Sequence, residues 1–501
     1  MLRTTVWLIS LLIAANAAET THLSTTAPAN CQQACAQLST LFGSAVHYPG
    51  SDDFIIWDAK QQEARPSCRI EPRSAADVAK VLNVLVDHWC YFSVKGGGHS
   101  RNAGDSNSVG GVTVDLNMLR QVEVLDDGNR ARVGGGATSI QVYHALESRN
   151  LSFVGGRVGS VGMGGFTLGG GTSPFSNKYG WGLDNVFEYE FSGSPRQWYD
   201  YHRLGDAQSG SIFRSPRGGN NFAIVTAFTI RTFTQGPVFT GQTSYSENYT
   251  EQVLDKAYDL FTDKDLTNDV EMGYDLYYSY RSGSEDFTLM GTQRYGKAIQ
   301  DPPVFRKIDQ IPTLSRTTTI GSMSSVSNGS IPMGTTRNLF ATLTVSPSRS
   351  LLSRALQIFR QEVEAIKSVP GISTNLICYP MQRNAIAAMK NRGGNALGID
   401  LERDEPLFII LLSTAWSDAS DDVAVNWMTK NAVRRIALAA HKLDVANRYI
   451  YINYASADQA SRVFSGYGEE NLQRLKDIQK AVDPRGIFTS KGLWKGFMKL
   501  F

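Results

Sequence analysis

The sequence predicts an α+β fold in two large units, and three observations predict it. At 501 residues the chain exceeds one ordinary core, since domains run to roughly 150 residues. From residue 66 the text alternates short helices, strands and glycine turns. After about residue 235, longer amphipathic helices alternate with strands, the pattern of a second unit with helices packed on a sheet. Composition agrees, because 42% hydrophobic and 19% charged residues exclude wholesale disorder. With 49 basic and 47 acidic residues the net charge is +2, so nothing general draws the chain to nucleic acid or to a membrane surface. Glycine is in excess, 46 residues or about 9% against a usual ~7%. Its placement matters more than its number.

The chain opens with Arg3, an apolar run from Val6 to Ala14 and the residues Ala15-Asn16-Ala17. This is the pattern of a secretory signal over 1–17, and the run is well short of the ~20 residues that span a bilayer. Three Asn-x-Ser/Thr glycan acceptors, at Asn150, Asn248 and Asn328, agree with export. The five cysteines, Cys31, Cys35, Cys68, Cys90 and Cys378, contain no Cys-x-x-Cys. One disulfide with some buried thiols is expected, and no zinc site. Seven histidines without His-Glu-x-x-His give metal catalysis little to stand on.

Residues 18–44 form a polar mature N-terminus leading into a short cysteine-bearing helix. Ser74-x-x-Asp77 reads as a capping box that opens a helix with Val78, Val81, Leu82, Leu85 and Val86 on one face. Tyr91–Val94 reads as a strand feeding Lys95-Gly96-Gly97-Gly98-His99-Ser100. Strands follow at Val112–Leu116, Val122–Val124 and Ala131–Val133, then a helix at about 139–148 and a glycine-rich run over 155–171. In the second unit Leu352, Leu356, Phe359, Val363 and Ile366 share a helix face, between strands at Leu339–Val345 and Phe408–Thr414. Tyr449–Tyr454 reads as an aromatic strand, followed by a helix near 470–481 that Asp483-Pro484 stops. There is no internal repeat.

Runs of glycine let backbone approach a ligand closely and turn its N–H groups inward, as a pyrophosphate requires. The segments 96–100 and 155–171 therefore point to an elongated, phosphate-bearing ligand. The familiar alternatives fail. There is no Gly-x-x-x-x-Gly-Lys-Ser/Thr, no strand–Gly-x-Gly-x-x-Gly–helix unit near the N-terminus, and no Gly-x-Ser-x-Gly.

Lys95-Gly-Gly-Gly-His99-Ser100-Arg-Asn102-Ala-Gly104 resembles the flavin-attachment loop of the berberine bridge enzyme-like FAD oxidoreductases, in the vanillyl-alcohol oxidase/p-cresol methylhydroxylase superfamily. The glycine run at 155–171, Gly182-Leu-Asp184-Asn-Val186, Gly218-Gly-Asn-Asn-Phe222-Ala-Ile-Val225-Thr, Tyr451-Ile-Asn453-Tyr454 and Asp483-Pro-x-Gly-Ile-Phe488 match in order. The resemblance implies a two-subdomain PCMH-type (p-cresol methylhydroxylase-type) FAD-binding domain over 45–237. It also implies an α+β substrate domain with a large antiparallel sheet over 238–439 and a C-terminal segment, 440–501, returning to the FAD domain. It implies that His99 carries FAD covalently, an imidazole nitrogen acting as nucleophile. Lys95, Gly96, Gly97, Gly98, Ser100 and Asn102 around it would hold the cofactor. So would Gly156, Ser160, Val161, Gly162 and Gly165 in the glycine run, with Asp184, Val186, Val225, Asn453 and Tyr454 further on.

Many relatives attach the flavin a second time through a cysteine in Cys-x-x-Val-Gly. This chain has Val158-Gly159-Ser160-Val161-Gly162, so attachment is expected through His99 alone. Val161 resembles the residue that oxidases place beside the flavin. Tyr451 is the candidate base, with a phenol of ordinary pKa ~10 that needs a nearby cation or the flavin's own field to act near neutral pH. By the same resemblance a disulfide joins Cys31 or Cys35 to Cys90. The implied enzyme is a secreted, monomeric oxidase that uses molecular oxygen on a hydroxylated small molecule, such as a secondary metabolite, sugar or aromatic alcohol. A dehydrogenase that avoids oxygen, and a binding protein with a degenerate flavin site, are the alternatives.

The resemblance breaks between Phe191 and Arg217. Relatives have a strand ending in Asp/Asn-Gly and then an Asn-Pro-Asp-Leu-Phe helix start. One codon choice for Gln208–Phe213, CAA TCC GGA TCT ATT TTT, gives Asn-Pro-Asp-Leu-Phe when read one nucleotide later. The same shift turns Arg203-Leu-Gly-Asp-Ala-Gln into Ala-Ser-Ala-Thr-His. Residues 192–216 are therefore expected to be translated out of frame. Taken as written, they replace a strand and a helix with an irregular loop.

Overall fold

The computed structural model describes residues 27–51, 54–125, 128–192, 202–205, 218–329 and 331–500. The expected signal over 1–17 and most of 192–216 lie outside these residues. A four-stranded sheet runs, edge to edge, Val46–His47, Cys68–Ile70, Val112–Asp115 and Phe92–Lys95, the last three parallel. Helix Ala75–Asp87 buries the face its spacing predicts. Ser74 Oγ caps it, accepting from the Asp77 N–H at 3.1 Å, but the Asp77 carboxylate reaches the Arg73 N–H, one residue before the expected box.

A five-stranded antiparallel sheet follows, in the order Val122–Leu125, Arg130–Gly134, Ile224–Arg231, Val186–Ser192, His202–Gly205. His202–Gly205 pairs with Val186–Ser192, Leu204 opposite Tyr189. Part of the stretch expected to be an irregular loop is therefore strand.

The largest sheet has eight strands, all antiparallel: Ser315–Gly321, Val238–Tyr245, Thr288–Tyr295, Met272–Arg281, Ser373–Met381, Leu407–Trp416, Arg337–Val345 and Ala446–Asn447. Its side chains alternate with period two. Leu276, Tyr278, Leu376, Cys378, Ile410 and Leu412 face helices Thr250–Thr262, Arg349–Val363 and Asp422–Lys442 in one core. Asp275, Tyr379 and Ile409, from the opposite face, line a cleft against the glycine-rich segment. That face positions the site.

The aromatic strand expected at 449–454 does not form. Tyr449–Tyr451 joins no sheet, and Ile452–Tyr454 is a 3₁₀ turn in which the Tyr454 N–H donates to the Tyr451 carbonyl at 3.0 Å. Alternation needs a buried and a solvated face. Here Tyr449, Ile450, Tyr451 and Ile452 are all 2% exposed or less, so both parities are buried. Helix Glu469–Val482 stops at Asp483, whose carboxylate accepts the Ile487 and Phe488 N–H groups at 2.9 and 2.7 Å. Ile487, Phe488 and Trp494 then enter the core that holds Cys31, Leu82 and Val114.

Two disulfides form where the sequence reading expected one. Cys31 pairs with Cys90, and Cys35 pairs with Cys68. The cysteines of helix Ala29–Phe42 stand four residues apart, on one buried helix face, so both reach into the same core. Replacing Cys35 by Ser is expected to lower the unfolding free energy by about 2–4 kcal/mol. Guanidinium unfolding of the variant checks this, and a midpoint equal to wild type would contradict it. Asn150, Asn248 and Asn328 are exposed. No helix among the described residues is long and apolar enough to cross a membrane.

Candidate active site

Strand Phe92–Lys95 delivers the loop that carries His99. The imidazole stacks on Trp57, with ring centroids 4.6 Å apart and planes 21° apart, and its Nε2 lies 3.0 Å from Ser160 Oγ. Burial, with a smaller push from the Arg101 guanidinium, lowers its pKa to about 3. His99 is therefore a neutral imidazole at any physiological pH. Inside the loop, Ser100 Oγ and Asn102 Nδ2 donate to Asp105 at 2.6 and 2.9 Å. Burial still raises this carboxyl to about 6.

Three glycine segments converge beside His99. A methyl group on Gly97 would fall on the Gly162 nitrogen, and one on Gly162 would fall on the Gly97 nitrogen, so the two backbones touch directly. A Cβ on Gly96 or Gly164 would lie 3.3 or 3.1 Å from the Gly135 carbonyl, and one on Gly135 would lie 2.5 Å from the Val225 carbonyl. At Gly97, Gly162 and Gly135 a Cβ would displace backbone, and only glycine permits such approaches. The N–H groups of Gly97, Gly98 and His99 donate to no other group among the described residues. The third segment, Gly134-Gly135-Gly136, escaped the sequence reading. Three glycines closing a strand were the available signal.

A model for an FAD binding domain matches residues 66–192, and one described as berberine and berberine like matches 450–491. An FAD-dependent monooxygenase of Cochliobolus heterostrophus is 31% identical over 499 residues, covering 92% of this chain and 93% of the relative. The chain belongs to the berberine bridge enzyme-like FAD-linked oxidoreductases. The solved structure of a glucooligosaccharide oxidase from Acremonium strictum superposes with a TM-score of 0.72 at 18% identity, covering 94% of this chain and 99% of that one. Phl p 4.0202, a glucose dehydrogenase, does so with a TM-score of 0.69 at 15% identity, covering 91% and 96%. These likenesses show the fold, and an oxidase and a dehydrogenase share it.

This berberine bridge enzyme-like oxidoreductase fits its cofactor. The spare N–H groups at 97–99 suit a phosphate-bearing ligand, and the neutral His99 suits attachment to it. Facing the loop stands a cluster of tyrosines. Tyr451 is 1% exposed, and its oxygen accepts from the Gly171 and Thr172 N–H groups and from Asn453 Nδ2, each at 3.2 Å. Burial pushes this phenol up to about 12, against the pull of those donors. Tyr454 is half-buried, its ring 4.6 Å from Tyr451, 5.5 Å from Tyr379 and 5.9 Å from Phe340. Its hydroxyl bonds no other group among the described residues.

Two arginines that the sequence reading did not single out stand among these aromatic rings. Arg101 donates from Nη2 to the Asn453 carbonyl at 2.6 Å and lies 4.0 Å from the Phe340 ring centroid, tying the attachment loop to the Tyr-x-Asn turn. Arg157 donates to the carbonyl and hydroxyl of Thr172 at 3.3 and 3.0 Å and lies 5.2 Å from the Tyr379 ring centroid. Burial, the largest single influence on Arg157, works to lower it. Asp275 and the surrounding tyrosines together hold it above its ordinary value.

Other expected cofactor residues have structural work. The Lys95 ammonium pairs with Asp115 at 3.0 Å. Asp184 accepts from the Trp181 N–H and from Asn395 Nδ2, both at 2.9 Å, and Val186 opens a strand opposite Ile230. Gly156 bonds through its N–H and carbonyl to Ser139 and Tyr143, and the Val161 carbonyl accepts from the Ser139 N–H at 2.9 Å. A Cβ on Gly165 would meet nothing within 4 Å.

Proposed function

We propose that the protein is a secreted, monomeric FAD-linked oxidase acting on a hydroxylated small molecule, with the domain limits given by its family resemblance. FAD, when bound, supplies the two-electron acceptor for the substrate, and molecular oxygen is its proposed oxidant. The observation that carries the reading is the open Tyr454 hydroxyl in the aromatic cluster that Arg101 and Arg157 contact, opposite the loop of His99. Tyr454 takes the proton of a substrate hydroxyl. Tyr451, the base the resemblance implies, is 1% exposed, so its proposed role is to position the turn while the half-buried Tyr454 meets the substrate.

His99 is the proposed single point of flavin attachment. Its Nε2 is engaged by Ser160, which leaves Nδ1 for the bond. Support comes from the Acremonium oxidase, whose flavin is described as 6-S-cysteinyl, 8 alpha-N1-histidyl FAD. Val158 cannot form the cysteinyl link. Purified protein is expected to stay yellow after acid denaturation and to release about one peroxide per substrate oxidised in air. A colourless protein would overturn the enzyme, and yellow protein without peroxide would make it a dehydrogenase.

Residues 192–216 stay proposed as out of frame, and the FAD-domain match stops at 192. Sequencing the transcript across this stretch is expected to give the shifted text. A message matching the printed residues in frame overturns that.

A further inference from the structure

A cleft lies between the 157–181 segment and the polar face of the eight-stranded sheet. Asp275 is the one carboxylate among its lining residues, and its side chain is 3% exposed. Two arginines compete for it. Arg294 Nη1 bonds it directly, and Arg157 Nε lies 3.5 Å from it. Two cations against one anion leave one positive charge uncompensated. Arg157 shares that excess with Arg294, and its Nε is buried without a hydrogen-bond acceptor. Gln382, also on the cleft wall and 1% exposed, has a carbonyl oxygen with no donor. Trp181 and Tyr379 supply aromatic walls, and the Tyr277 hydroxyl lies 3.4 Å from that of Tyr379.

Such a surface offers a cation and flat aromatic walls, with the Gln382 carbonyl spare for a hydroxyl. A neutral sugar is poorly matched to it, because it brings no anion to the guanidinium. An aromatic or enolic acid is matched in both charge and shape. We infer that this cleft selects a planar, hydroxylated aromatic or enolic substrate carrying one negative charge, with Arg157 as its counter-ion. The inference rests on the reading of this face as the substrate side of the flavin site.

Titration calorimetry of the full-length protein at pH 7 tests it, with 4-hydroxybenzoate, 4-hydroxybenzyl alcohol and cellobiose as probes. The benzoate is expected to bind at least about tenfold more tightly than the alcohol. Arg157→Gln should erase that preference and leave the alcohol's affinity within about twofold, and Arg157→Lys should restore most of it. Asp275→Asn should act in the opposite direction and tighten the benzoate, because it removes the competing anion. A variant that had merely lost its fold could not do so. Equal binding of benzoate and alcohol, tighter binding of cellobiose, no heat from the benzoate, or weakening by both Arg157→Gln and Asp275→Asn would each overturn the inference. Flavin absorbance of the same samples separates the two readings. Yellow protein without anion preference sinks this inference alone, and protein that never holds flavin sinks the parent reading while the calorimetry still reports.

Discussion

Replacing His99 by Ala is expected to abolish covalent flavin outright. Wild-type protein precipitated in acid should carry its yellow colour into the pellet, and His99→Ala should leave every flavin in the supernatant. The imidazole is prepared for attachment by what surrounds it. Ser160 holds Nε2, Trp57 fixes the ring plane, and burial keeps the ring neutral with a pKa near 3. A neutral imidazole is the nucleophilic form, so in flavin-free protein the rate of attachment should be flat from pH 8 down to about 5. An exposed histidine would instead lose rate through its ordinary pKa of ~6.5. The same shift has a stability consequence with a definite sign. The folded state binds its proton less readily than the unfolded chain, so the stabilisation is complete above ~6.5 and is lost as pH falls towards 3. In flavin-free protein His99→Ala, which cannot titrate, should therefore close on wild-type stability between pH 6.5 and 3. Flavin in the acid pellet of His99→Ala would end the assignment.

What could be read in advance was local. Gly97 and Gly162 were legible because two backbones in contact leave no room for a Cβ, and that constraint writes itself as glycine. Helix Ala75–Asp87 was legible because one of its faces is buried and the other is not. The turn at 452–454 was hidden by the opposite circumstance. Tyr449 to Ile452 are buried on all sides, so alternating aromatic and aliphatic residues mimic a strand without being one. Position within a motif also says nothing about where a long side chain goes. Lys95 sits next to the glycines of the attachment loop, yet its ammonium turns to Asp115. Arg157 stood inside the glycine run, but its role depends on Asp275 from a distant strand, and only the folded sheet brings them together. Cys68 likewise gave no sign of its partner until helix Ala29–Phe42 placed Cys35 against it.

Tyr454→Phe is expected to lower kcat by about 10²- to 10⁴-fold with flavin content unchanged, the range for loss of a positioned general base. Tyr451→Phe should behave differently. Removing its oxygen strands the Gly171 and Thr172 N–H groups and Asn453 Nδ2, so it should cost about 1–3 kcal/mol of stability and much less turnover. The pH profile separates proton transfer from positioning. A base must be deprotonated to act, so kcat/KM in the wild type should rise with pH through the acceptor's titration, and Tyr454→Phe should remove that rising limb. Arg101 grips the Asn453 carbonyl, so Arg101→Gln should lower turnover, and Arg101→Lys, which keeps the charge but not the geometry, should not restore it. If Tyr454→Phe kept both its turnover and its rising limb while Tyr451→Phe lost them, the base would be Tyr451, and its three N–H donors would have to be read as stabilising a phenolate instead of fixing a turn.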